Sequence, residues 1–128
     1  MRRAYRVEEV MTRKPVTARV GETVMDAVMR MAELSIGALP VVDESGRLVG
    51  IFTERDLLKR VVAKGLDPRE TRIEEVMTPN PVTVSPDDTV EEALRIMKKI
   101  KARHLPVVDR EGKLVGIVSI KDIEFVEP

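Results

Sequence analysis

The segment HLPVVDREGKLVGIVSIKD, residues 104–122, determines how the rest of the chain is interpreted. It repeats the segment ALPVVDESGRLVGIFTERD, residues 38–56, at an offset of 66 residues. The offset holds without a gap when residues 7–60 are aligned with residues 73–126, and 23 of the 54 aligned pairs are identical. The chain is therefore an internal duplication, with a period too long and copies too few for an open array of repeats.

The composition indicates a globular chain without a strong electrostatic preference. A length of 128 residues favours one compact domain, and 43% apolar residues are enough to build a core. The 22 Lys and Arg residues balance the 22 Asp and Glu residues, whereas proteins that bind nucleic acids are usually basic. Two Phe, one Tyr and no Trp provide no platform for stacked bases, so we expect no nucleic-acid partner.

The sequence carries no sign of export or membrane insertion. None of its apolar runs approaches the ~20 residues of a membrane span, and its first residues lack the apolar core of a signal peptide. No cysteine is present, so neither disulfides nor thiolate chemistry are available. We expect a cytoplasmic protein with no membrane partner. One Asn and no Gln, beside 34% charged residues, favour a thermophilic source.

Each copy predicts the element order β-α-β-β-α, a mixed α+β arrangement within the broad α/β class. A Val-Met-Thr followed by a Pro-Val-Thr opens each copy, and the proline favours an extended segment or a sheet edge. Thr23-x-x-Asp26 and Thr89-x-x-Glu92 then have the form of capping boxes, which predict helix starts.

A hairpin and a closing helix complete each copy. Apolar runs around a Gly-bearing turn predict the hairpins over residues 38–52 and 104–118. Thr53 and Ser119 would open the closing helices, the first of which is expected over residues 54–64.

The duplication sets the domain boundaries. We expect one repeat over residues 7–60 and a second over residues 73–126. Residues 61–72 are the linker and include the end of the first closing helix. The helix after Thr23 is apolar around most of its circumference, so either the other repeat or another subunit must cover its second face.

The residues offer little for catalysis. There is no Cys and a single His, so the chain lacks the His/Cys clusters that bind transition metals. Neither a Gly-x-Ser-x-Gly elbow nor a Gly-rich phosphate loop is present. We expect no catalytic residues, no metal site and no enzyme activity.

Two segments, residues 50–56 and 116–122, leave two interpretations open. As helix caps, Thr53 and Ser119 with a carboxylate three residues later need no ligand. As a binding site, the same helix starts would attract a phosphate, and the Asp that ends each segment would accept two hydrogen bonds from a vicinal diol such as ribose. The first interpretation is the simpler one on the residues alone.

The duplicated pattern Val-Met-Thr…Pro-Val-Thr…helix…Leu-Pro-Val-Val-Asp…Gly…Leu-Val-Gly-Ile…Thr/Ser-x-x-Asp resembles the CBS domain. Two tandem copies resemble a CBS pair, or Bateman module, over residues 7–126. The resemblance implies repeats packed as a pseudo-two-fold pair in a stand-alone module. It also implies a sensor of adenosine compounds (AMP, ADP, ATP or S-adenosylmethionine) that bind in a cleft between the repeats.

The resemblance implies two related ligand sites, of which the first is favoured. Its members match the family's binding positions: Thr53 and Asp56 for the ribose, Val82 and Thr83 for the base, and Arg103 and His104 for the phosphates. A cation on the phosphate side strengthens the contact with a phosphorylated ligand. As alternatives, His104 would cap a strand edge and Arg103 would be a solvated surface charge.

The second site is expected at the matching positions, namely Ser119, Asp122, Val16, Thr17, Gly37 and Ala38. Gly37 and Ala38 occupy the phosphate-side positions of this site, and neither carries a positive charge. This site is therefore expected to be empty or to hold a less charged adenosine derivative.

Together these residues predict a regulatory module whose ligand is AMP, ADP or ATP, with S-adenosylmethionine as a further candidate. It would act as a homodimer, by a ligand-dependent change of conformation or of affinity for a regulated protein that the sequence does not name. The alternative is a structural or interaction module without a small-molecule ligand, in which Thr53 and Asp56 only cap a helix.

Overall fold

A computed structural model describes residues 4–126, which form two compact units. The central unit spans Val16–Pro81, and the terminal unit combines the described residues up to Pro15 with those from Val82 onward. Each unit contains a sheet, a helix of 11 residues and an apolar core. The mixed α+β fold expected from the duplication is confirmed, whereas the repeat boundaries drawn from the alignment stay a prediction.

The central unit is built on four strands, which are β2 (Ala18–Arg19), β3 (Ala38–Val42), β4 (Leu48–Thr53) and β5 (Thr78–Pro79). They lie in the order β2-β3-β4-β5, with β2 parallel to β3 and the other pairs antiparallel. Its helical segments are α2 (Val24–Leu34), α3 (Glu54–Asp56), the π-helical turns Leu57–Val62 and α4 (Ile73–Val76). Leu39, Phe52 and Ile73 are fully buried in its core.

The terminal unit is built on three strands, which are β1 (Thr12–Arg13), β6 (His104–Val108) and β7 (Leu114–Ser119). They lie in the order β1-β7-β6, and both pairs are antiparallel. Its helices are α1 (Val7–Val10), α5 (Val90–Ile100) and α6 (Ile120–Val126). Met97, Leu105 and Ile123 are fully buried in its core.

Each hairpin receives its outer strand from the segment that opens the other copy of the duplication. β1, from the first copy, pairs with β7 of the second copy, where Thr12 lies opposite Ile117. β5, from the second copy, pairs with β4 of the first copy, where Thr78 lies opposite Ile51. The Val-Met-Thr segments therefore do reach sheet edges, as expected, but on the sheets of the opposite copies.

The two long helices begin where the sequence predicts. The Thr23 hydroxyl accepts the Asp26 N–H at 3.1 Å, and the Asp26 carboxylate accepts the Thr23 N–H at 3.3 Å. Thr89 and Glu92 make the same reciprocal pair at 3.2 and 3.4 Å. Both capping boxes are thus confirmed. None of the helices between residues 4 and 126 is long and apolar enough to cross a membrane.

The closing helix of the first copy differs from its expected form. Three α-helical residues are followed by π-helical turns that end at Val62. The expected helix end at residue 64 is therefore wrong by two residues. The N–H groups of Ala63 and Leu66 bond to carbonyls five residues earlier, and Gly65 turns the chain at φ 70°. Wide turns and a left-handed glycine replace the last part of the expected helix.

Two short helices, α1 and α4, were not expected from the sequence. Each has four residues and lies where an extended segment was predicted to begin, so Val10 and Val76 are helical rather than extended. The predicted hairpins are both confirmed as antiparallel pairs, β3 with β4 and β6 with β7.

A methionine packs against a bare glycine in each unit. The Met77 side chain occupies the space that a Cβ on Gly50 would need. On the other sheet a Cβ on Gly116 would lie 2.6 Å from Met11 Sδ and 2.9 Å from the Thr12 carbonyl oxygen. The glycines of the Leu-Val-Gly-Ile motif therefore admit the methionines of the Val-Met-Thr motif.

Within the described chain only one face of α2 is covered. Val24, Ala27 and Met31 are buried, whereas Met29 is 62% exposed and Leu34 is 48% exposed. The broad apolar surface expected on this helix is present. A partner that covers it stays a prediction.

Replacing these glycines by alanine should destabilise the protein unequally. Gly50→Ala meets the flexible end of a methionine, which can move, so about 1 kcal/mol should be lost. Gly116→Ala also meets backbone, which cannot move without disturbing β1, so about 2–3 kcal/mol should be lost. Urea unfolding of both variants would measure this, and equal losses would contradict the role of the Thr12 carbonyl.

Candidate functional site

Asp56 is the last residue of the short helix α3 and one of two buried polar residues in the described chain, with 6% of its surface exposed. Its Oδ2 accepts the N–H of Thr53 at 3.0 Å and the hydroxyl of Thr53 at 3.2 Å. The Asp56 N–H in turn donates to the Thr53 hydroxyl at 3.2 Å. The expected cap is therefore formed, and it fixes the carboxylate at the end of β4.

The other carboxylate oxygen of Asp56 contacts two residues that sequence reasoning missed. Thr78 donates its hydroxyl to Oδ1 at 3.1 Å, and Arg60 Nε lies 3.6 Å from the same atom. Arg60 Nη1 also donates to the carbonyl of Met77 at 2.8 Å. The i, i+4 spacing of Asp56 and Arg60 was a readable signal, whereas the approach of Thr78 depends on the exchanged strand.

Asp122 repeats the cap with fewer partners from its own unit. Its Oδ2 accepts the Ser119 N–H at 2.8 Å, and its own N–H donates to the Ser119 hydroxyl at 3.2 Å. At an offset of 66 residues, Thr12 takes the place of Thr78 and Val126 takes the place of Arg60. Asp122 is half-buried and so is more open to solvent than Asp56.

These carboxylates have the chemistry that a diol requires. An ionised carboxylate offers about four acceptor positions, and Asp56 uses two of them on Thr53 and one on Thr78. A ribose would therefore use the last position or share the one that Thr78 holds, because a threonine hydroxyl can rotate. Asp122 has more of its acceptor capacity available to a ligand.

The base-side residues lie in different units. Val16 and Thr17 belong to the central unit, and Val82 and Thr83 to the terminal unit. Arg30 fixes the first of these segments, because its Nη1 donates to the Thr17 carbonyl at 2.9 Å.

Glu22 holds the Arg30 side chain in place. Arg30 Nη2 lies 2.6 Å from Glu22 Oε1. Burial raises the pKa of Glu22, but hydrogen bonds from Arg30 and from the Arg19 N–H outweigh it, so the pKa lies below its usual value of 4.5. The pair is therefore ionised at neutral pH.

The phosphate-side residues lie next to the helix caps of their own units. In register, Ala38 is opposite Thr53 on β3 and β4, and His104 is opposite Ser119 on β6 and β7. Their neighbours Gly37 and Arg103 precede those strands.

The structure thus groups the candidate residues by unit. Thr53 and Asp56 come together with Ala38, and Ser119 and Asp122 come together with His104. The assignment of base-side and phosphate-side residues to the carboxylate of the opposite repeat stays a prediction. In residues 4–126 no group of three or more His, Asp or Glu side chains is placed to hold a metal ion.

Comparisons with known proteins identify the family. The family model described as "CBS domain" matches residues 7–63 and 73–125. The chain belongs to the CBS domain family.

As a CBS domain pair, which is a regulatory module, the chain has relatives of known structure. It is 34% identical to the CBS domain pair of protein MJ0100, whose crystal structure is a complex with 5′-methylthioadenosine and S-adenosyl-L-methionine, with a TM-score of 0.89 over 98% of this chain and 97% of that one. It is 30% identical to CBSX2, solved in complex with AMP, with a TM-score of 0.84 over 96% of each chain.

Among curated relatives the CBS pair is often part of a longer chain. The chain is 40% identical over 126 residues to an uncharacterised protein, MK0525, of Methanopyrus kandleri. The alignment covers 98% of this chain but 64% of that relative's length. CBSCBSPB2 of Arabidopsis thaliana and an inosine-5'-monophosphate dehydrogenase of Methanocaldococcus jannaschii are matched over 21% and 23% of their length.

Removing the Thr78 hydroxyl should destabilise the central unit. Thr78→Val keeps the shape of the side chain but deletes a hydrogen bond to a buried carboxylate, which should cost about 1.5–3 kcal/mol of unfolding free energy. Thr12→Val is the matched change in the other copy, at an exposed position, and should alter stability by less than about 0.5 kcal/mol. Chemical denaturation of both variants tests this, and a similar loss in both would contradict a specific role for Thr78.

Acid should weaken the Glu22–Arg30 pair. Because the folded-state pKa of Glu22 is lowered, its stabilisation is fully present above the usual value of 4.5 and is lost as the pH falls through the lowered value. Glu22→Gln should therefore lose about 0.5–1 kcal/mol at pH 7 and depend less on pH below about 4.5. Thermal unfolding from pH 3 to pH 7 measures this. Glu33→Gln is the control, and if Glu22→Gln kept the wild-type acid dependence, the pair would not contribute.

Proposed function

We propose that this CBS pair is a sensor of an adenosine nucleotide, AMP, ADP or ATP. The observation that carries it is the pair of duplicated caps, in which Asp56 and Asp122 each hold a carboxylate at a strand end. A carboxylate fixed in this way is a preorganised acceptor for the two hydroxyls of a ribose. Support also comes from relatives, since CBSX2 was solved with AMP and the MJ0100 pair with adenosyl compounds.

In the favoured site each residue has a distinct role. Asp56 accepts hydrogen bonds from the ribose hydroxyls, and Thr53 orients the Asp56 carboxylate. Val82, which is 46% exposed, and Thr83 provide the surface for the base. Arg103 and His104 face the phosphates, where a charge-assisted contact is stronger than a neutral one.

The second site uses the matching positions of the duplication. Asp122 and Ser119 would bind the ribose, with Val16 and Thr17 beside the base. Arg30 and Glu22 hold the Thr17 backbone, which gives this segment a fixed position. A less charged adenosine derivative suits this site.

Signalling follows from differential binding. A ligand that contacts residues of both repeats favours the arrangement in which both contact it, and this population shift would alter the affinity for a regulated protein. The module would act in the cytoplasm as a homodimer, with Met29 and Leu34 of α2 available for a subunit contact. No residue is assigned a catalytic role.

An interaction module without a ligand is the second candidate. Asp56 already accepts hydrogen bonds from Thr53 and Thr78 and forms an ion pair with Arg60, so its burial needs no ligand. The exposed Leu58 and Val62 on the π-helical turns give that candidate a surface for a partner protein.

A thermal-shift panel with AMP, ADP, ATP, S-adenosylmethionine and GTP tests the proposed function. A ligand present at 100 times its Kd should add about 2.7 kcal/mol to stability and raise the unfolding midpoint. We expect a rise with adenosine compounds and none with GTP. No shift at millimolar concentration would favour the interaction module.

The variant Asp56→Asn separates a ligand contact from a helix cap. It should weaken nucleotide binding by roughly 1–3 kcal/mol, because the amide offers one acceptor oxygen in place of two. Asp26→Asn is the matched control, since it alters the same kind of cap on α2, where no ligand contact is proposed. Isothermal titration of both variants measures the affinities, and unchanged binding by Asp56→Asn would exclude the ribose contact.

A further inference from the structure

Two helical segments of the central unit expose apolar side chains. Met29 of α2 is 62% exposed, and Leu58 and Val62 of the π-helical turns are 62% and 63% exposed. Side chains four residues apart lie on the same side of a helical segment, so Leu58 and Val62 form one apolar stripe. Large apolar side chains that are exposed together are typical of a surface that contacts another protein.

Both segments pack against the same face of the central sheet. Leu39 and Phe52 lie opposite each other on β3 and β4, so their side chains share one face of that sheet. The core that contains these two residues also contains Met31 of α2 and Val61 of the π-helical turns. Since both segments bury one side on this face, their exposed sides point away from the sheet. The three exposed apolar residues therefore lie on one side of the central unit and form an outer apolar surface.

The charges on the two segments have opposite signs. On α2, Asp26 lies three residues before Met29 and Glu33 lies four residues after it, so these side chains share one side of the helix. Both acids are exposed. On the π-helical turns the exposed Lys59 directly follows Leu58. The outer apolar surface is therefore acidic along α2 and basic along the turns.

The other charges of these two segments are paired within the central unit. On α2, Arg30 Nη2 lies 2.6 Å from Glu22 Oε1. On the π-helical turns, Arg60 Nε lies 3.6 Å from Asp56 Oδ1. The difference in sign between the segments is therefore carried by the two acids of α2 and the lysine of the turns.

The duplicated positions of the terminal unit do not repeat this surface. At the offset of 66 residues, Arg95 stands in place of Met29 and Glu124 stands in place of Leu58. Both of these charged side chains are exposed. Burying an unpaired charge in an interface costs free energy, so these positions favour contact with water. The first copy therefore differs from the second in having an outer side that can be buried.

We infer that the central unit binds the central unit of a second copy of this chain, with α2 of each copy against the π-helical turns of the other. A two-fold axis forms both contacts at once and closes the assembly as a dimer. Each contact brings Met29 against Leu58 and Val62. The inference rests on the homodimer of the proposed function, and it adds which unit makes the contact and which segments pair.

Charge complementarity selects this pairing over the two symmetric ones. If α2 packed against α2 of the second copy, the carboxylates of Asp26 and Glu33 would face those of the partner. If the π-helical turns packed against each other, the two Lys59 side chains would be brought together. Like charges disfavour both arrangements, whereas the mixed pairing places acids beside a lysine on each side of the axis.

A surface without a partner makes a different prediction. Single exposed apolar side chains are common on soluble proteins and need no partner. On that basis the chain would be a monomer, and charges introduced on the outer apolar surface would not alter its association. The concentration dependence of the molecular mass is therefore the readout that separates the two interpretations.

The deciding experiment is sedimentation equilibrium of the full chain. We expect a dimer for the unaltered chain and a dimer Kd at least about tenfold higher for Leu58→Asp, because a carboxylate then faces the acids of α2. Phe125→Asp is the matched control, since it removes an apolar side chain that is 88% exposed in the terminal unit, and it should leave the dimer Kd unchanged. Circular dichroism of each variant checks that the fold is kept.

Exchanging charges tests the pairing of segments. Glu33→Lys should raise the dimer Kd about tenfold, because it places a lysine beside Lys59 of the second copy. Adding Lys59→Glu should recover most of that loss, and both effects should shrink as salt shortens the Debye length. Lys99→Glu changes the position that matches Glu33 in the terminal unit and should have no effect. If Glu33→Lys strengthened the dimer instead, α2 would pair with α2 and the mixed pairing would be overturned.

The outcomes separate this inference from the nucleotide sensor. A chain that stays monomeric up to its solubility limit, or a dimer that Leu58→Asp leaves intact, overturns the inference. A midpoint shift with AMP in the thermal panel would leave the sensor standing in either case. A dimer that Leu58→Asp dissociates, in a chain whose midpoint no nucleotide shifts, would support the contact between central units and overturn the sensor.

Discussion

The structure depends on the contact between a methionine side chain and a bare glycine in each sheet. The contacts of Met77 with Gly50 and of Met11 with Gly116 allow the edge strand from the other copy to lie close to each hairpin. The same strand brings Thr78 to the carboxylate of Asp56, and the Met77 carbonyl anchors the arginine beside it. Sheet closure and the chemistry of the candidate site are therefore parts of one packing arrangement, and a change at the glycine would be felt at the carboxylate.

The two copies keep the residues that define the backbone and differ in those that carry charge. The Leu-Pro-Val-Val-Asp run, the hairpin glycines and the carboxylate after the cap are the same in both. The positions around that carboxylate differ: Arg60 against Val126, Gly37 against Arg103, and Glu54 against Ile120. The duplication therefore keeps one backbone frame and places different charges around its two carboxylates.

The sequence was sufficient to predict the hairpins, the caps and the fold class, because each depends on local chemistry seen twice. It was insufficient for the strand exchange, since β1 or β5 satisfies the pattern of either hairpin and only tertiary packing selects between them. Thr78 was missed at the site for that reason, as it reaches Asp56 through the exchanged strand. The π-helical turns were also missed, because an apolar period of this length fits an α-helix equally well. The assignment of base-side and phosphate-side residues to the carboxylate of the opposite repeat stays a prediction, because a local pattern cannot decide which residues of different units meet.

The strand exchange also has a consequence for synthesis on the ribosome. The central unit is one contiguous stretch, so all of its strands exist once Pro81 has emerged. The terminal unit must wait, because β1 is made early and its partner β7 is made roughly 100 residues later. During that interval an unpaired strand could bind other chains, and its length of two residues limits that hazard. The opening segment of the first copy is among the earliest parts of the fold to be made and the last to be placed.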